Sequence, residues 1–275
     1  AVAFFGTSEF AVPIFERLAA GPWRPEFVVT TPDAPAGRGR ALRPPPVKAA
    51  AAGLGIPVLQ PERLSPIPGP LAAGPWDLFI VAAYGKILPA DLLRIPKHGA
   101  LNVHPSLLPR WRGPSPIQYA ILSGDQETGV TIMLMDEQVD HGPILRNATC
   151  HMPRANVTAP ELTAKLAEMG AELLVKTIPD WMGGRITPEP QDESLATHAK
   201  LLKRGDGRVD WSRPAGEIER MVRAFQPWPG AYAFWRRGAN ELRLNIEMAE
   251  GQAAEVERRA VGTVFDRDGQ LIIQA

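Results

Sequence analysis

Short runs of almost unbroken apolar residues recur through the first half of the chain, at positions 1–7, 26–31, 56–59, 77–84 and 100–104. Between them lie stretches with a helical period. After Thr7-Ser8-Glu9, which offers a helix start, Phe10, Ile14 and Leu18 return on one face. A strand that is apolar on both faces must be covered on both, so this alternation predicts a parallel sheet sandwiched by helices. In such folds ligands gather at the carboxyl ends of the strands. A helix over 115–122 and two further strands, 129–135 and 144–152, joined by a Gly-containing connection, predict that the sheet closes with a hairpin-like pair.

Thr158-Ala-Pro-Glu161 reads as a capping box, and Leu162, Leu166, Met169, Leu173 and Ile178 mark the buried stripe of a long helix that Gly183-Gly184 stops. From Ile186 to about Lys203 the sequence turns polar and irregular, as an interdomain linker does. Beyond it, an amphipathic helix at 216–225 precedes short β-like runs at 231–236, 242–248, 262–266 and 271–273, a pattern that suggests a small β-barrel. With 275 residues the chain exceeds one average domain. The expected division is a first domain over 1–184, a linker over 185–204 and a second domain over 205–275. The last apolar run carries no terminating signal, so the second domain is expected to be incomplete.

Thirty basic residues balance thirty acidic ones. Affinity for nucleic acid must therefore come from local clusters rather than net charge. Cys150 is the only cysteine, which excludes internal disulfides and multi-cysteine metal sites. His98, His141, His151 and His198 share no metal-ligand spacing, so no metal is expected. The chain opens without a secretion signal and has no apolar run of the ~20 residues that span a bilayer, which predicts a cytoplasmic protein.

Chemistry concentrates in Asn102-Val-His104-Pro-Ser106-Leu107-Leu108-Pro109. Asn102 and His104 are two apart on a strand and so point to one side. An Asn amide can donate to an oxyanion; a His can do the same or relay a proton near neutral pH. Asp140, in the turn-rich Val139-Asp-His-Gly-Pro143, can return a carboxylate to the same sheet edge and orient His104. Spacing alone leaves the alternative open that Asn102 caps a turn, His104 is a satisfied strand-end residue and Asp140 is turn chemistry.

The ordered set Phe5-Gly-Thr-Ser-Glu-Phe-Ala11, Pro32-Asp-Ala-Pro-Ala-Gly-Arg38-Gly-Arg40, Ala83-Tyr84-Gly85-Lys-Ile87-Leu88-Pro89, Asn102 to Pro109, Arg112-Gly113, Glu127-Thr-Gly-Val130 and Asp140 with Gly142 resembles methionyl-tRNA formyltransferases along nearly the whole chain. The Asn-x-His-Pro-Ser-Leu-Leu-Pro segment with a downstream Asp resembles formyl-folate enzymes in general, whereas the 32–48 loop resembles the tRNA enzymes more selectively. Arg223-Ala-Phe-Gln-Pro-Trp-Pro-Gly230 resembles their second domain and, in large part, that of sugar-nucleotide formyltransferases.

The resemblance implies a Rossmann-like formyltransferase domain followed by an OB-like barrel. It implies transfer of the formyl group of 10-formyltetrahydrofolate to the amino group of methionyl initiator tRNA, with Asn102 and His104 holding the oxyanion and Asp140 supporting His104. It further implies folate contacts from Tyr84, Gly85, Ile87, Leu88, Ser106, Leu107, Leu108 and Pro109. Arg38, Arg40, Arg43 and Lys48 are expected to contact tRNA, although a basic run is also the ordinary composition of a solvated face. A monomer is expected. The rival readings are a formyltransferase for an amino-sugar nucleotide or glycinamide ribonucleotide, and a non-catalytic nucleic-acid-binding protein.

Overall fold

A computed structural model describes residues 1–36, 41–152, 156–237, 240–251, 260–267 and 270–275. The chain begins with β1 (Val2–Gly6), α1 (Ala11–Ala19) and β2 (Phe27–Val29). A small antiparallel ladder, β3 (Ala34–Ala36) with β4 (Ala41–Arg43), follows inside the basic Gly/Pro-rich segment, where no strands were expected. Then come α2 (Pro46–Gly53), β5 (Val58–Leu59), α3 (Gly69–Ala73), β6 (Leu78–Ala82), α4 (Ala90–Leu93), β7 (Ala100–His104), α5 (Pro116–Leu122), β8 (Glu127–Leu134), β9 (Ile144–His151) and α6 (Ala159–Met182). The chain finishes with α7 (Ala215–Ala224), β10 (Ala231–Arg237), β11 (Asn240–Ile246), β12 (Val264–Arg267) and β13 (Gln270–Ile273).

Seven strands form one sheet in the order β5-β2-β1-β6-β7-β8-β9. Pairings from β5 through β7 are parallel, and β8 and β9 add the antiparallel pair anticipated at its end. All five residues of β1, β6 and β7 are buried, as the unbroken apolar runs of β1 and β6 require, and β7 buries the polar Asn102 and His104 as well. α1 buries Ile14, Phe15 and Leu18, each worth about 1.5–3 kcal/mol relative to exposure, and leaves Glu16 and Arg17 in water. The chain runs outward from β1 through β2 to β5, then returns to the other side of β1 at β6. That reversal opens a crevice at the carboxyl ends of the central strands.

The long helix starts as its sequence indicates: the Glu161 carboxylate accepts from the Thr158 backbone N–H at 2.9 Å and from its hydroxyl at 3.0 Å. It ends where Gly183 N donates to Pro179 O. No helix among the described residues is long and apolar enough to cross a membrane.

Two compact units result. The first comprises Ala1–Pro116, Glu127–His151 and Thr163–Ala199, and the second Ile117–Gln126, Met152–Leu162 and Lys200–Ala275. Much of the segment expected as a linker is therefore part of the first unit. Ile144 and Glu189 form a two-way backbone bridge, and Thr197 and Ala199 bond the main chain of Pro109 and Arg112. Its polar composition serves hydrogen bonding rather than solvation. In the second unit, β10-β11 and β12-β13 are separate two-stranded ladders, and no pairing among the described residues closes them into the expected barrel.

Candidate active site

A cavity of about 390 Å³ lies in the first unit, at the carboxyl ends of β6 and β7. Val81, Tyr84, Gly85, Ile87 and Leu88 line it from β6 and the following turn, His104 and Pro105 from β7, and the loop from Met135 to Asp140 from the far side. Ile87 and Val139 are largely exposed, so apolar surface rims the opening. Positive φ angles at Ala83 (43°) and Gly85 (84°) bend the β6 turn over the crevice.

Asn102, His104 and Asp140 come together. β7 and β8 pair antiparallel, with Leu101 opposite Leu134 and His104 opposite Thr131, so β8 ends beside the start of β7 and the loop after it carries Asp140 back to Asn102 and His104. Asn102 Nδ2 donates to Asp140 Oδ1 at 3.1 Å, and Gly113 N donates to Asp140 Oδ2 at 2.8 Å. His104 Nδ1 stands 3.5 Å from Asp140 Oδ1, while its Nε2 lies 3.0 Å from the carbonyl oxygen of Trp111. A carbonyl can only accept, so Nε2 carries a hydrogen and Nδ1 is the nitrogen left for proton exchange. His104 and Asp140 line the cavity; Asn102 does not, and reaches Asp140 instead.

The residues expected at the folate divide. Tyr84, Gly85, Ile87 and Leu88 line the cavity. Ser106, Leu107, Leu108 and Pro109 do not, because their groups are used in building the turn behind it. Ser106 Oγ donates to Arg110 O at 2.6 Å, Thr131 Oγ1 donates to Ser106 O at 2.7 Å and accepts from Leu108 N at 3.1 Å, and Leu107 packs over Gly129. Tyr84 is 2% exposed and its hydroxyl has no hydrogen-bond partner among the described residues. Burial pushes its phenol up to about 12.

Of the basic residues expected at tRNA, Arg38 and Arg40 lie outside the described residues. Arg43 is exposed on β4. Lys48 is paired with both oxygens of Asp33, at 2.8 and 2.9 Å. That ammonium, followed by a hydrogen bond from Gln60, holds the Asp33 carboxyl below its ordinary range.

Several supporting residues were not singled out by sequence. Buried Arg112 donates to Gln191 at 3.0 Å and forks onto Glu193 at 3.0 and 2.6 Å. The guanidinium keeps the Glu193 carboxyl below its usual range. Gln191 Nε2 in turn donates to the carbonyls of Asp140 and Gly142, at 3.0 and 2.8 Å. The one readable signal for this shell was the Arg112-Gly113 pair within the family-like motifs.

Comparison with known proteins identifies the family. A formyl transferase family model matches residues 1–178, and one for the formyl transferase C-terminal domain matches 201–275. The chain is 48% identical over 271 residues to a methionyl-tRNA formyltransferase of Chloroflexus aurantiacus, covering 98% of this chain and 85% of that one. It is 52% identical over 275 residues to the enzyme of that name from Roseiflexus sp., covering 98% and 83%. Among solved structures, a 4-N formyltransferase from Francisella tularensis superposes with a TM-score of 0.69 at 18% identity, covering 90% of this chain and 98% of that one. An N-formyltransferase from Helicobacter canadensis, in complex with folinic acid and dTDP-3-aminofucose, gives 0.65 at 16% identity, covering 91% and 99%. These two establish likeness of fold; the near-full-length identities go further, and by them the chain belongs to the methionyl-tRNA formyltransferases.

Proposed function

We propose that the chain transfers the formyl group of 10-formyltetrahydrofolate to the amino group of methionyl initiator tRNA, in the cytoplasm, as a monomer and without a metal. The reading rests above all on the His104–Asp140 pair set in an apolar-walled cavity at the carboxyl ends of β6 and β7. A volume of about 390 Å³ falls within the range of small-molecule pockets, and the walls of Val81, Ile87, Leu88 and Val139 suit a flat aromatic ring system.

The folate supplies the formyl carbon when bound. Asn102 stands behind the cavity wall and its Nδ2 has two hydrogens; one goes to Asp140, and the second is assigned to negative charge on a formyl oxygen seated against His104 and Asp140. His104, committed at Nε2, takes a proton at Nδ1 from the attacking amine, directly or through water, and returns it to the folate nitrogen as the formyl C–N bond to that nitrogen breaks. Asp140 stabilises the imidazolium that forms. Tyr84, Gly85, Ile87 and Leu88 hold the folate, while Ser106 to Pro109 brace the end of β7.

The proposed division of labour keeps catalysis within 1–184, supported by the 185–204 segment, and gives tRNA binding to 205–275 together with Arg38, Arg40, Arg43 and Lys48. An assay with 10-formyltetrahydrofolate and a panel of methionyl-tRNA, glycinamide ribonucleotide and an amino-sugar nucleotide tests it directly. Formylation of methionyl-tRNA alone supports the reading. Preferential turnover of either other acceptor, or none with any, overturns it.

A further inference from the structure

Trp111 is held in the left-handed region, at φ 62°, although it is not glycine. A bulky residue there needs outside support. Its N–H donates to the hydroxyl of Thr197 at 2.9 Å. Its carbonyl meets His104 Nε2 at 3.0 Å. The neighbouring main chain is fixed independently: Thr197 N donates to Pro109 O, Arg112 N to Thr197 O and Ala199 N to Arg112 O, at 3.2, 2.9 and 2.7 Å. Gly113, at φ 109°, lets the turn come so close that a Cβ would stand 2.6 Å from Ala199 O.

We propose that Thr197 is a positioning residue for the formyl-transfer site, acting through the Trp111 carbonyl on the tautomer of His104. The Thr197 hydroxyl holds the peptide plane entering Trp111, and the Thr197 carbonyl, accepting from Arg112 N, holds the plane leaving it, which carries the Trp111 carbonyl. The two together restrain Trp111 in its left-handed conformation, and so keep the hydrogen of neutral His104 on Nε2 and the exchangeable position on Nδ1, beside Asp140. The inference rests on His104 serving as the proton-exchanging group, but its main readout is the tautomer, which does not depend on turnover.

Thr197→Val removes the hydroxyl at nearly constant shape and leaves the three main-chain bonds in place, whereas Thr197→Ser restores the acceptor. With ¹⁵N-labelled histidine, neutral His104 in the wild-type protein is expected as the Nε2–H form, assigned by comparison with His104→Gln. Thr197→Val is expected to give a mixture of tautomers, a kcat lower by roughly 10- to 100-fold and little change in KM for the folate, with all three recovered in Thr197→Ser. Neutral wild-type His104 carrying its hydrogen on Nδ1 would overturn the proposal even if no Val variant folds. So would a folded Thr197→Val with the wild-type tautomer and kcat. If instead His104→Gln keeps wild-type turnover, the proposed role of His104 fails while the tautomer result still stands or falls alone.

Discussion

Replacing Asp140 by Asn tests the site at its most connected point. Both carboxylate oxygens are committed, Oδ1 to the Asn102 amide and Oδ2 to the Gly113 N–H, with His104 Nδ1 also near Oδ1. An Asn side chain has one acceptor oxygen and one NH₂. Whichever way it turns, one of the two donors then faces another donor. The φ of 50° at this position is one that Asn tolerates, so the backbone adds little to the effect.

One hydrogen bond to a charged group is thereby lost and a mostly buried N–H left unpaired, a destabilisation of about 1.5–3 kcal/mol. For a protein of this size that lowers Tm by roughly 3–12 °C. Turnover should fall further than stability does, by about 10²-fold or more, because the negative charge beside His104 Nδ1 is gone. Thermal unfolding and saturating-substrate turnover, measured on Asp140→Asn and Asp140→Ala, separate the two effects. Ala lacks the local compatibility of Asn with positive φ and should be the less stable of the pair while equally inactive. A well-folded Asp140→Asn that keeps near wild-type turnover would refute the assignment of Asp140 to the chemistry.

Asn102→Ala and His104→Ala should each lower kcat by about 10² or more; near wild-type turnover in a folded variant removes that residue from the mechanism. Tyr84→Phe should leave Tm unchanged or raise it, since the deleted hydroxyl is buried without a partner; a clear loss of stability in a thermal melt would show that the hydroxyl is satisfied in solution. Asp180 is held below the ordinary carboxylate range by hydrogen bonds from Arg185 and Arg146. Its depressed folded value adds stability above the unfolded value near 3.8, and that stability is lost as pH falls through the folded value. Asp180→Asn should therefore flatten the acid limb of a urea-midpoint profile below pH ~4, and an unchanged limb would count against the pairing.

The catalytic strand was legible because its physics is local. A short, partly apolar run after Gly99 marked β7 over Ala100–His104, and a period of two put Asn102 and His104 on one side. Asp140, 38 residues beyond Asn102, was reachable because a hairpin-like pair had to bring the chain back to that edge. The supporting residues were not legible. Gln191, Glu193 and Thr197 sit in a stretch with no apolar period, and its composition is that of a solvated connector. What keeps it in place is hydrogen bonding to backbone groups of Pro109, Arg112, Asp140 and Gly142, which leaves no mark on hydrophobic spacing. Lys48 shows the same limit: sequence displays its charge but not the Asp33 carboxylate paired with it.

The three non-glycine residues with positive φ among the described positions are Ala83, Trp111 and Asp140, at 43°, 62° and 50°. All three border the cavity or hold His104. Such conformations cost about 1–3 kcal/mol each and persist only where the surroundings over-determine them. Here each has an outside anchor. Thr7 Oγ1 donates to the carbonyl of Tyr84, next to Ala83, at 2.8 Å; Thr197 accepts from Trp111; Gln191 donates to the Asp140 carbonyl. A single hydrogen bond contributes about 0.5–1.5 kcal/mol, close to the cost of the strained residue it restrains. Each anchor therefore offsets much of the local strain, beside the main-chain and carboxylate hydrogen bonds that hold the same turns. Residues that never face the cavity thus decide which way its carbonyls and carboxylate point, and the chemistry of His104 depends on those directions.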